Sequence, residues 1–504
     1  MTVDRRTFVA AAGTIAAAAA VPIGSVWSGG ATPGLRTRYD ARSAEGKAML
    51  RLYAKAVAKM RQSDVAGTPM DWTFQWYTHA VSGTTDKQAE LDRIFPDPEN
   101  PNRVLASLTW DTCEAHHPGT RRMNFLPWHR AYLIVFEEIV RLACADDSFT
   151  LPYWDYIADA VIPDEFRMQD DAEFGVLYVD RRIGEVNSGT AIDKISGVWQ
   201  PGRFNQDALK EGDYLPDPSG VPPGFNAKLD SELHGFVHVN VGTGENMGSV
   251  PNAAYDPIFW LHHCNIDRLW AAWNEHGHTN PDSLVWRMES HVFADASGEP
   301  RTFENGALID TAALGYHYDK LPPKPTADTP VAVASGPRAA DEARAPQPGG
   351  PAEAAGASAG ASRIIAQRQQ AIELGDGPVS VKLPATEAAR AEAFDPQAAR
   401  AGRRRYLVVS GLRTNVQPGV LYDVLARGVK TGERGEATDQ FVGSISFFDA
   451  PSREGAPGQE FVFDLTDKLR GKGPVDMTSF VIVPAGKPAA DARPLLGELK
   501  LVER

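Results

Sequence analysis

Cysteine is scarce in this chain, basic residues are fewer than acidic ones, and no hydrophobic run is long. Three cysteines in 504 residues, Cys113, Cys144 and Cys264, exclude a small scaffold held together by disulfides. The 51 lysines and arginines against 65 aspartates and glutamates give a net charge of -14. This charge argues against nucleic acid and anionic membrane surfaces as partners. The alanine-rich run at residues 10–21 is too short to cross a bilayer, so we expect no stable membrane insertion.

The length and the N-terminus indicate an exported protein of several domains. With 504 residues, 43% of them hydrophobic, the chain can bury a large core and form two or three domains. Arg5 and Arg6 form a twin-arginine pattern, and the alanine-rich run follows it. We therefore predict a twin-arginine signal peptide over residues 1–33 and a periplasmic or extracellular location.

Composition divides the rest of the chain into three parts. Residues 34–320 carry apolar patterns of helical spacing and contain all twelve histidines. Residues 321–363 are dominated by proline, alanine, glycine and serine, which predicts a flexible linker. Residues 364–504 carry short alternating runs, at 379–383, 405–409, 420–424, 441–448 and 461–465, and have no histidine or cysteine. This pattern predicts an all-β, sandwich-like C-terminal domain after a mainly α domain.

One segment, residues 256–277, predicts a buried helix with two adjacent histidines. Asp256 is a good N-cap, Pro257 suits the first helical position, and Gly277 is a plausible stop. Apolar residues surround the helix on all sides, so it should be buried. His262 and His263 then need partners, because a buried imidazole without a hydrogen bond or a metal ion is costly.

The spaced histidines fall into two sets that indicate two metal sites. One set is His79, His116 or His117, and His129; the other is His234, His238, and His262 or His263. Residues 230–238 predict a short helix capped at Asp230, and the i, i+4 spacing of His234 and His238 places both on one face of it. Imidazole suits zinc, copper, iron and nickel, and a hydrolytic zinc site usually includes an acidic ligand or a glutamate base. Two all-histidine sites therefore favour a dinuclear copper centre, which inward-facing ligands of a four-helix bundle can hold.

Two sequence motifs identify a resemblance to a known family. Phe-Leu-Pro-Trp-His-Arg at residues 125–130 resembles the first copper-site signature of the tyrosinase and polyphenol oxidase family, the type-3 copper proteins. Asp-Pro-Ile-Phe-Trp-Leu-His-His at residues 256–263 resembles the second. The resemblance covers about residues 36–320, and the segment Tyr316–Tyr318 is similar to the family's tyrosine motif. Residues 419–424 and 441–444 are similar to the C-terminal domain of plant polyphenol oxidases, which covers the active-site entrance until it is displaced or cleaved.

The resemblance implies the ligands of two copper ions. His79, His116 and His129 would hold the first, and His234, His238 and His263 the second. The family places a phenylalanine four residues before the closing ligand, as Phe125 precedes His129 and Phe259 precedes His263; this favours His263 over His262, which would support the site. His117 remains an alternative to His116. Cys113 either forms a thioether link to the second histidine of the first copper site, as in many members, or is an ordinary buried thiol.

The resemblance also implies an activity on small phenols with O2 as co-substrate. Monophenol hydroxylation in the family is linked to a glutamate upstream and an asparagine after the first histidine of the second site. Here Gly235 follows that histidine and no glutamate lies near Phe225. With Val239 and Val250 also small, we predict a substrate pocket formed by Gly235, Val239, Val250 and Phe259. We expect oxidation of o-diphenols, or of o-aminophenols, to o-quinone products. The alternatives are a true tyrosinase, a haemocyanin-like oxygen carrier and a zinc hydrolase, and the oligomeric state is left open.

Overall fold

A computed structural model describes eleven parts of the chain. These are residues 34–63, 66–81, 85–114, 123–195, 204–325, 362–386, 403–430, 437–448, 450, 458–468 and 477–504. The predicted signal peptide, most of the predicted linker, and both His116 and His117 lie outside the described residues. Expectations about those segments therefore stay predictions.

The first part of the chain is mainly helical, as predicted. Its helices are α1 Ala44–Met60, α2 Trp72–His79, α3 Lys87–Ile94, α4 Pro101–Thr109, α5 Phe125–Cys144, α6 Gly184–Asn187, α7 Phe225–Leu229, α8 Gly235–Val241, α9 Val250–Ala253, α10 Ile258–Glu275 and α11 Leu284–Arg287. Short 3-10 turns cover Asp164–Phe166, Gly175–Leu177, Ile192–Lys194, Asp207–Lys210 and Asn305–Leu308. Two small strand pairs complete it: β1 Arg36–Arg38 runs parallel to β4 Tyr316–Tyr318, and β2 Ser290–Ala294 runs antiparallel to β3 Pro300–Glu304.

The start and end of α10 follow from the residues that flank it. The Ile258 N–H donates to Asp256 Oδ1 at 3.0 Å, so this carboxylate satisfies an N–H that the helix itself leaves without a partner. Arg182 fixes the same carboxylate with a buried ion pair of 2.6 Å. Gly277, at φ +86°, takes the left-handed conformation just past the helix end. The expected burial is confirmed, since residues 258 to 270 are all buried.

The helical segment around His234 differs from the prediction. We expected a short helix that begins at a capping Asp230, but Asp230 has helical dihedral angles of -63° and -53°. Residues Asp230–His234 form a π-helical turn that joins α7 to α8, so the chain is helical from Phe225 to Val241. The physical reason is that α7 already precedes this point, and its end runs directly into the turn. π-turns of this kind occur frequently at functional sites.

A buried ion network ties α5, α10 and the β1–β4 pair together. The Asp267 carboxylate accepts hydrogen bonds from Arg130, Arg38, Tyr316 and Tyr318, at 2.5 to 3.2 Å. Burial alone would raise the pKa of Asp267, but the positive charges of Arg130 and Arg38 outweigh it and lower this pKa. Asp267 lies one helical turn beyond His263, so the network fixes the part of α10 that carries the histidines.

The C-terminal part is a β-sandwich, as predicted, and its described residues also include a short helix. Its strands are β5 Arg363–Arg368, β6 Ile372–Glu373, β7 Val379–Lys382, β8 Arg405–Leu412, β9 Tyr422–Lys430, β10 Ala437–Ile445, β11 Gln459–Asp464, β12 Ser479–Pro484, β13 Leu495–Leu496 and β14 Glu498–Glu503; α12 is Leu465–Lys468. One sheet has the order β10-β9-β12-β7, the other β11-β8-β14-β5. All pairings in both sheets are antiparallel.

The two sheets pack closely where β10 crosses β11. A Cβ atom added to Gly443 on β10 would lie 2.4 Å from the ring of Phe463 on β11. Only glycine therefore allows this approach between the sheets. Among the described residues, no helix has both the length and the apolar character needed to cross a membrane.

Candidate metal centre

Four helical segments carry the histidines of the candidate site into one buried region. His79 is the last residue of α2, His129 lies in the first turns of α5, His234 ends the π-turn, His238 lies in α8, and His262 and His263 lie in α10. Each of these side chains belongs to a residue that is at most 2% exposed. The helical bundle therefore gathers imidazoles from segments up to 184 positions apart in the sequence.

The first histidine cluster contains His79, His129 and Cys113. One potential ligand atom from each of the three lies within 4.8 Å of the others. Cys113 Sγ is 3.7 Å from His129 Nε2. His116 and His117 lie outside the described residues, so the third imidazole of this cluster and the thioether link both stay predictions.

The second cluster contains four imidazoles: His234, His238, His262 and His263. Their potential ligand atoms also lie within 4.8 Å of one another. His238 Nε2 and His263 Nε2 are only 3.4 Å apart. His262, which we expected to support the site, is a full member of this cluster, with its ring parallel to that of His234 at 5.4 Å. Neither ring nitrogen of His262 has a hydrogen-bond partner among the described residues.

Hydrogen bonds fix the tautomer of three of these imidazoles. The Nδ1–H group of His129 donates to the Phe125 carbonyl at 2.8 Å, and that of His238 donates to the Met247 carbonyl at 2.8 Å. His234 donates from Nδ1 to the Asp230 carbonyl at 3.2 Å, and the Asp230 carboxylate lies 3.1 Å from the same nitrogen. Because a carbonyl can only accept, Nδ1 carries the proton in the neutral form of each ring, and Nε2 is then the nitrogen that can bind a metal ion.

The two clusters adjoin each other through stacked rings. The rings of His129 and His263 are parallel within 12°, with centroids 4.3 Å apart. Two phenylalanines lie beside these stacked rings, each four residues before one of the two histidines. Phe125 contacts His129 and His234 at 4.8 and 4.6 Å, and Phe259 contacts His263 and His79 at 4.1 and 5.0 Å. The geometry is that of two neighbouring imidazole sites held in an apolar frame.

Burial keeps the imidazoles in the form that binds metals. Removal from water, and then the neighbouring histidines, lower the pKa of His238, His262 and His263 well below the usual value of 6.5. These rings are therefore neutral at physiological pH. His263 Nδ1 and both nitrogens of His262 have no partner among the described residues. A donor set of neutral imidazoles with unpartnered nitrogens fits copper ions.

The predicted pocket residues lie at different distances from this centre. Phe259 touches the imidazoles of both clusters, as given above. Val239 is buried on α8, and Val250 is partly buried at the start of α9. Gly235 faces the β-sandwich, because a Cβ atom there would lie 2.9 Å from Ser446 Oγ. No contact of Val239 or Val250 with the imidazoles is described, so their role in a substrate pocket stays a prediction.

Sequence reasoning missed a side chain of the C-terminal domain at this centre. The Phe448 ring stacks on His238 with centroids 4.1 Å apart and an angle of 14°, and it lies 5.7 Å from His234. Phe448 is only 2% exposed. It follows β10 directly, and nothing in the run of residues 441–448 marks it out from the other apolar positions. The C-terminal part therefore has a direct contact with the histidine clusters, although none of its described residues belongs to either cluster.

Comparisons with known proteins agree with this geometry. A family model described as the common central domain of tyrosinase matches residues 69–185 and 191–276. A tyrosinase of Streptomyces antibioticus is 34% identical over 201 residues, which are 35% of this chain and 71% of that protein. A tyrosinase of Hahella sp. (strain CCB-MM4) is 31% identical over 293 residues, which are 53% of this chain and 59% of the relative. The chain thus spans about three fifths of the length of that second relative.

A solved structure shares the whole architecture. The structure of latent apple tyrosinase superimposes with a TM-score of 0.58 at 22% identity, covering 95% of this chain and 99% of that chain. Its likeness extends through the helical part and the β-sandwich, and it shows a common fold. With the family model, the Streptomyces relative and the two imidazole clusters in place, the chain belongs to the tyrosinase family of type-3 copper proteins.

Proposed function

We propose that this chain is a copper-dependent oxidase that converts o-diphenols, and the analogous o-aminophenols, to o-quinone products with O2. The observation that carries the proposal is the pair of adjoining imidazole clusters, with His129 stacked on His263 at 4.3 Å. His79, His116 and His129 would hold one copper ion, and His234, His238 and His263 the other. Overall, two diphenols give two quinones while one O2 accepts four electrons and four protons and leaves as two waters.

Copper supplies the redox chemistry with O2, and the protein supplies position and environment. Backbone carbonyls orient His129, His234 and His238 so that each Nε2 points into the centre. Phe125 and Phe259 exclude water from the sides of the rings and hold them apart. Burial lowers the pKa of His238 and His263, so these two rings are neutral before they take up metal, and the preoriented rings need little rearrangement.

The choice of diphenols over monophenols rests on what surrounds His234. Phe225, where a glutamate would be expected, is fully buried and stacks on Trp273 at 4.8 Å with an angle of 8°. Gly235 carries no side chain that could orient a water. Asp230 does approach His234, but it lies on the Nδ1 side, away from Nε2. The described residues at these two positions, 225 and 235, therefore provide no base that could deprotonate a monophenol.

A true tyrosinase is the second candidate. The Streptomyces and Hahella relatives both carry the name tyrosinase. The names favour monophenol hydroxylation, whereas the residues at positions 225 and 235 favour diphenol oxidation. The two candidates share the copper centre and differ only in the phenol that they accept.

The C-terminal domain is proposed to hold the enzyme in a closed state. Phe448 covers the His238 ring, and Ser446 fits against the bare backbone of Gly235. A phenol could not occupy the space of the Phe448 ring at the same time. We infer a helical catalytic domain at residues 34–320 and a covering domain at residues 364–504, joined by the linker and exported by the twin-arginine route.

Oxygen uptake by the copper-loaded full chain tests the proposal. Catechol, o-aminophenol and tyrosol are compared at equal concentration, alongside copper analysis of the same sample. We expect two copper ions per chain and faster uptake with catechol than with tyrosol. Equal rates for catechol and tyrosol would favour the tyrosinase alternative. Copper content near zero after loading, or zinc bound in its place with no oxygen uptake, would refute the oxidase.

A further inference from the structure

A cavity of about 350 Å³ lies between the helical part and the β-sandwich, outside the copper centre. Its helical wall includes Tyr214, Lys228, Asp230 and Glu232, and its β wall is formed by Gln459, Glu460 and Val462 of β11. The volume lies within the range of about 300 to 1,000 Å³ that is usual for small-molecule sites. Because both domains line it, the complete cavity exists only while the two are in contact.

The polar groups of this cavity are mainly acceptors. Lys228 pairs with Glu232 at 2.7 Å, so these two charges neutralise each other. Asp230 and Glu460 add two further carboxylates, and Lys228 is the sole lysine or arginine among the lining residues that the structure describes. The walls thus carry three negative charges against one positive charge. A positively charged ligand would be favoured over a neutral or negative one.

Gln459 provides an independent sign of a missing donor. The residue is 6% exposed, and its Oε1 atom has no hydrogen-bond partner among the described residues. A buried acceptor without a partner is energetically unfavourable. A ligand that brings an N–H group into the cavity would satisfy this atom and at the same time approach Glu460, the next residue along β11.

The arrangement of the carboxylates favours an organic cation over a metal ion. In the described part of the chain, the groups able to gather three metal ligands are the two histidine clusters. Asp230, Glu232 and Glu460 therefore do not converge on one point. Apolar and aromatic surface lies between the polar groups, from Met123, Leu215, Pro216, Pro223, Val462 and the ring of Tyr214. An aromatic ring with a short, positively charged arm matches both features.

We propose that this interface cavity binds arylalkylammonium ions, with the ammonium group between Gln459 and Glu460 and the aromatic ring against the apolar wall. The site is separate from the copper centre, although Asp230 connects the two through His234. Such a ligand contacts both domains at once, so its binding stabilises the closed arrangement of the covering domain. The inference does not depend on the proposed oxidation, since binding at this cavity requires no turnover.

Calorimetric titration of the copper-loaded full chain with phenethylamine and with 2-phenylethanol tests this proposal. Neither compound has a ring hydroxyl, so neither is a phenol that the centre could oxidise. Phenethylamine is protonated at pH 7, and 2-phenylethanol is its neutral counterpart of the same size. We expect the ammonium ion to bind at least about tenfold more tightly, because hydrogen bonds that involve a charged group are stronger than those between neutral groups.

Two variants and one control locate the binding. Glu460→Gln removes a charge and Gln459→Met removes the buried acceptor; each should weaken phenethylamine about three- to tenfold and leave 2-phenylethanol unchanged. Glu99→Gln removes one charge from an exposed position and should change neither affinity. Thermal unfolding and copper content identify any variant that fails to fold, in which case the other variant decides. Equal affinity for the two compounds, or unchanged phenethylamine binding in a folded Glu460→Gln protein, would overturn the proposal. Loss of oxidase activity alone would bear only on the proposed function.

Discussion

Replacement of His262 and His263 by phenylalanine, one at a time, tests which of four imidazoles bind the second copper ion. Both residues are fully buried and adjacent in α10, so both substitutions exchange one planar ring for another in the same apolar frame. The proposal predicts two copper ions per chain for His262→Phe and one for His263→Phe. His263 is favoured because its Nε2 lies 3.4 Å from His238 Nε2 and its ring stacks on His129.

The stability of the metal-free proteins gives the magnitude of the effect at His262. Neither nitrogen of His262 has a partner among the described residues, and an unsatisfied buried polar group costs about 1 to 3 kcal/mol. Removing this polarity with a ring of similar shape should therefore raise the free energy of unfolding of metal-free His262→Phe by up to about 1 to 3 kcal/mol. Denaturant unfolding with and without copper measures this difference.

Copper analysis by mass spectrometry and oxygen uptake with catechol complete the assay. His278→Phe serves as a matched control, because His278 stacks on Trp273 at the surface end of the region and phenylalanine preserves that contact. It should retain two copper ions and full uptake. If His262→Phe loses as much copper as His263→Phe, the assignment of His263 as the sole ligand from this pair is refuted.

Three further predictions concern the covering domain, the ion network and pH. Phe448→Ala should raise the rate of catechol oxidation several-fold in the full chain, because it removes the ring stacked on His238. Unchanged kinetics would show that Phe448 does not block the site. Asp267→Asn should lower the free energy of unfolding by about 3 to 5 kcal/mol, because it leaves Arg130 buried without its counter-charge and leaves Arg38 with Glu137 as its remaining carboxylate partner. An unfolding curve like that of the unchanged protein would contradict this. The metal-free protein should lose stability as the pH falls below 6.5, because histidines of the unfolded chain gain protons there while three buried rings, with a lowered pKa, stay neutral: His238, His262 and His263. The loss of unfolding free energy is at most about 1.4 kcal/mol per ring for each pH unit. Unfolding temperatures are recorded from pH 5 to 8, and a temperature that does not fall toward acid pH would refute this prediction.

Local signals in the sequence were sufficient for the elements that carry the ligands. Asp256 and Gly277 predicted the start and end of α10. The end is confirmed, and the helix begins at Ile258, one residue later than predicted, with the Ile258 N–H bonded to the Asp256 carboxylate. Spacing also predicted that His234 and His238 share one helix face, and their rings lie 4.6 Å apart. These features depend on residues within one or two turns of each other, so they can be inferred without knowledge of the tertiary structure.

Features that depend on how segments meet could not be inferred in the same way. The sequence placed His262 beside the site, but its membership in the second cluster depends on how α10 is rotated against α8. Asp230 looked like an N-cap because nothing local showed that α7 would run into the π-turn. The contact of Phe448 with His238 spans 210 positions and depends on the docking of an entire domain. No sequence period encodes such a contact.

The position of His234 links the copper centre to the state of the covering domain. Its ring meets Phe448 on one side, and its Nδ1 meets Asp230 on the other, where Asp230 also lines the interface cavity. Phe448 and the cavity residue Glu460 both belong to the covering domain, so its displacement would remove the aromatic contact and open the cavity in the same movement. A cation bound in the cavity opposes that displacement, since the ligand loses one wall when the domain leaves. The proposed ligand should therefore slow activation of the full chain, and at the same concentration it should slow activation of Glu460→Gln less. An effect of equal size on both proteins would place its action elsewhere.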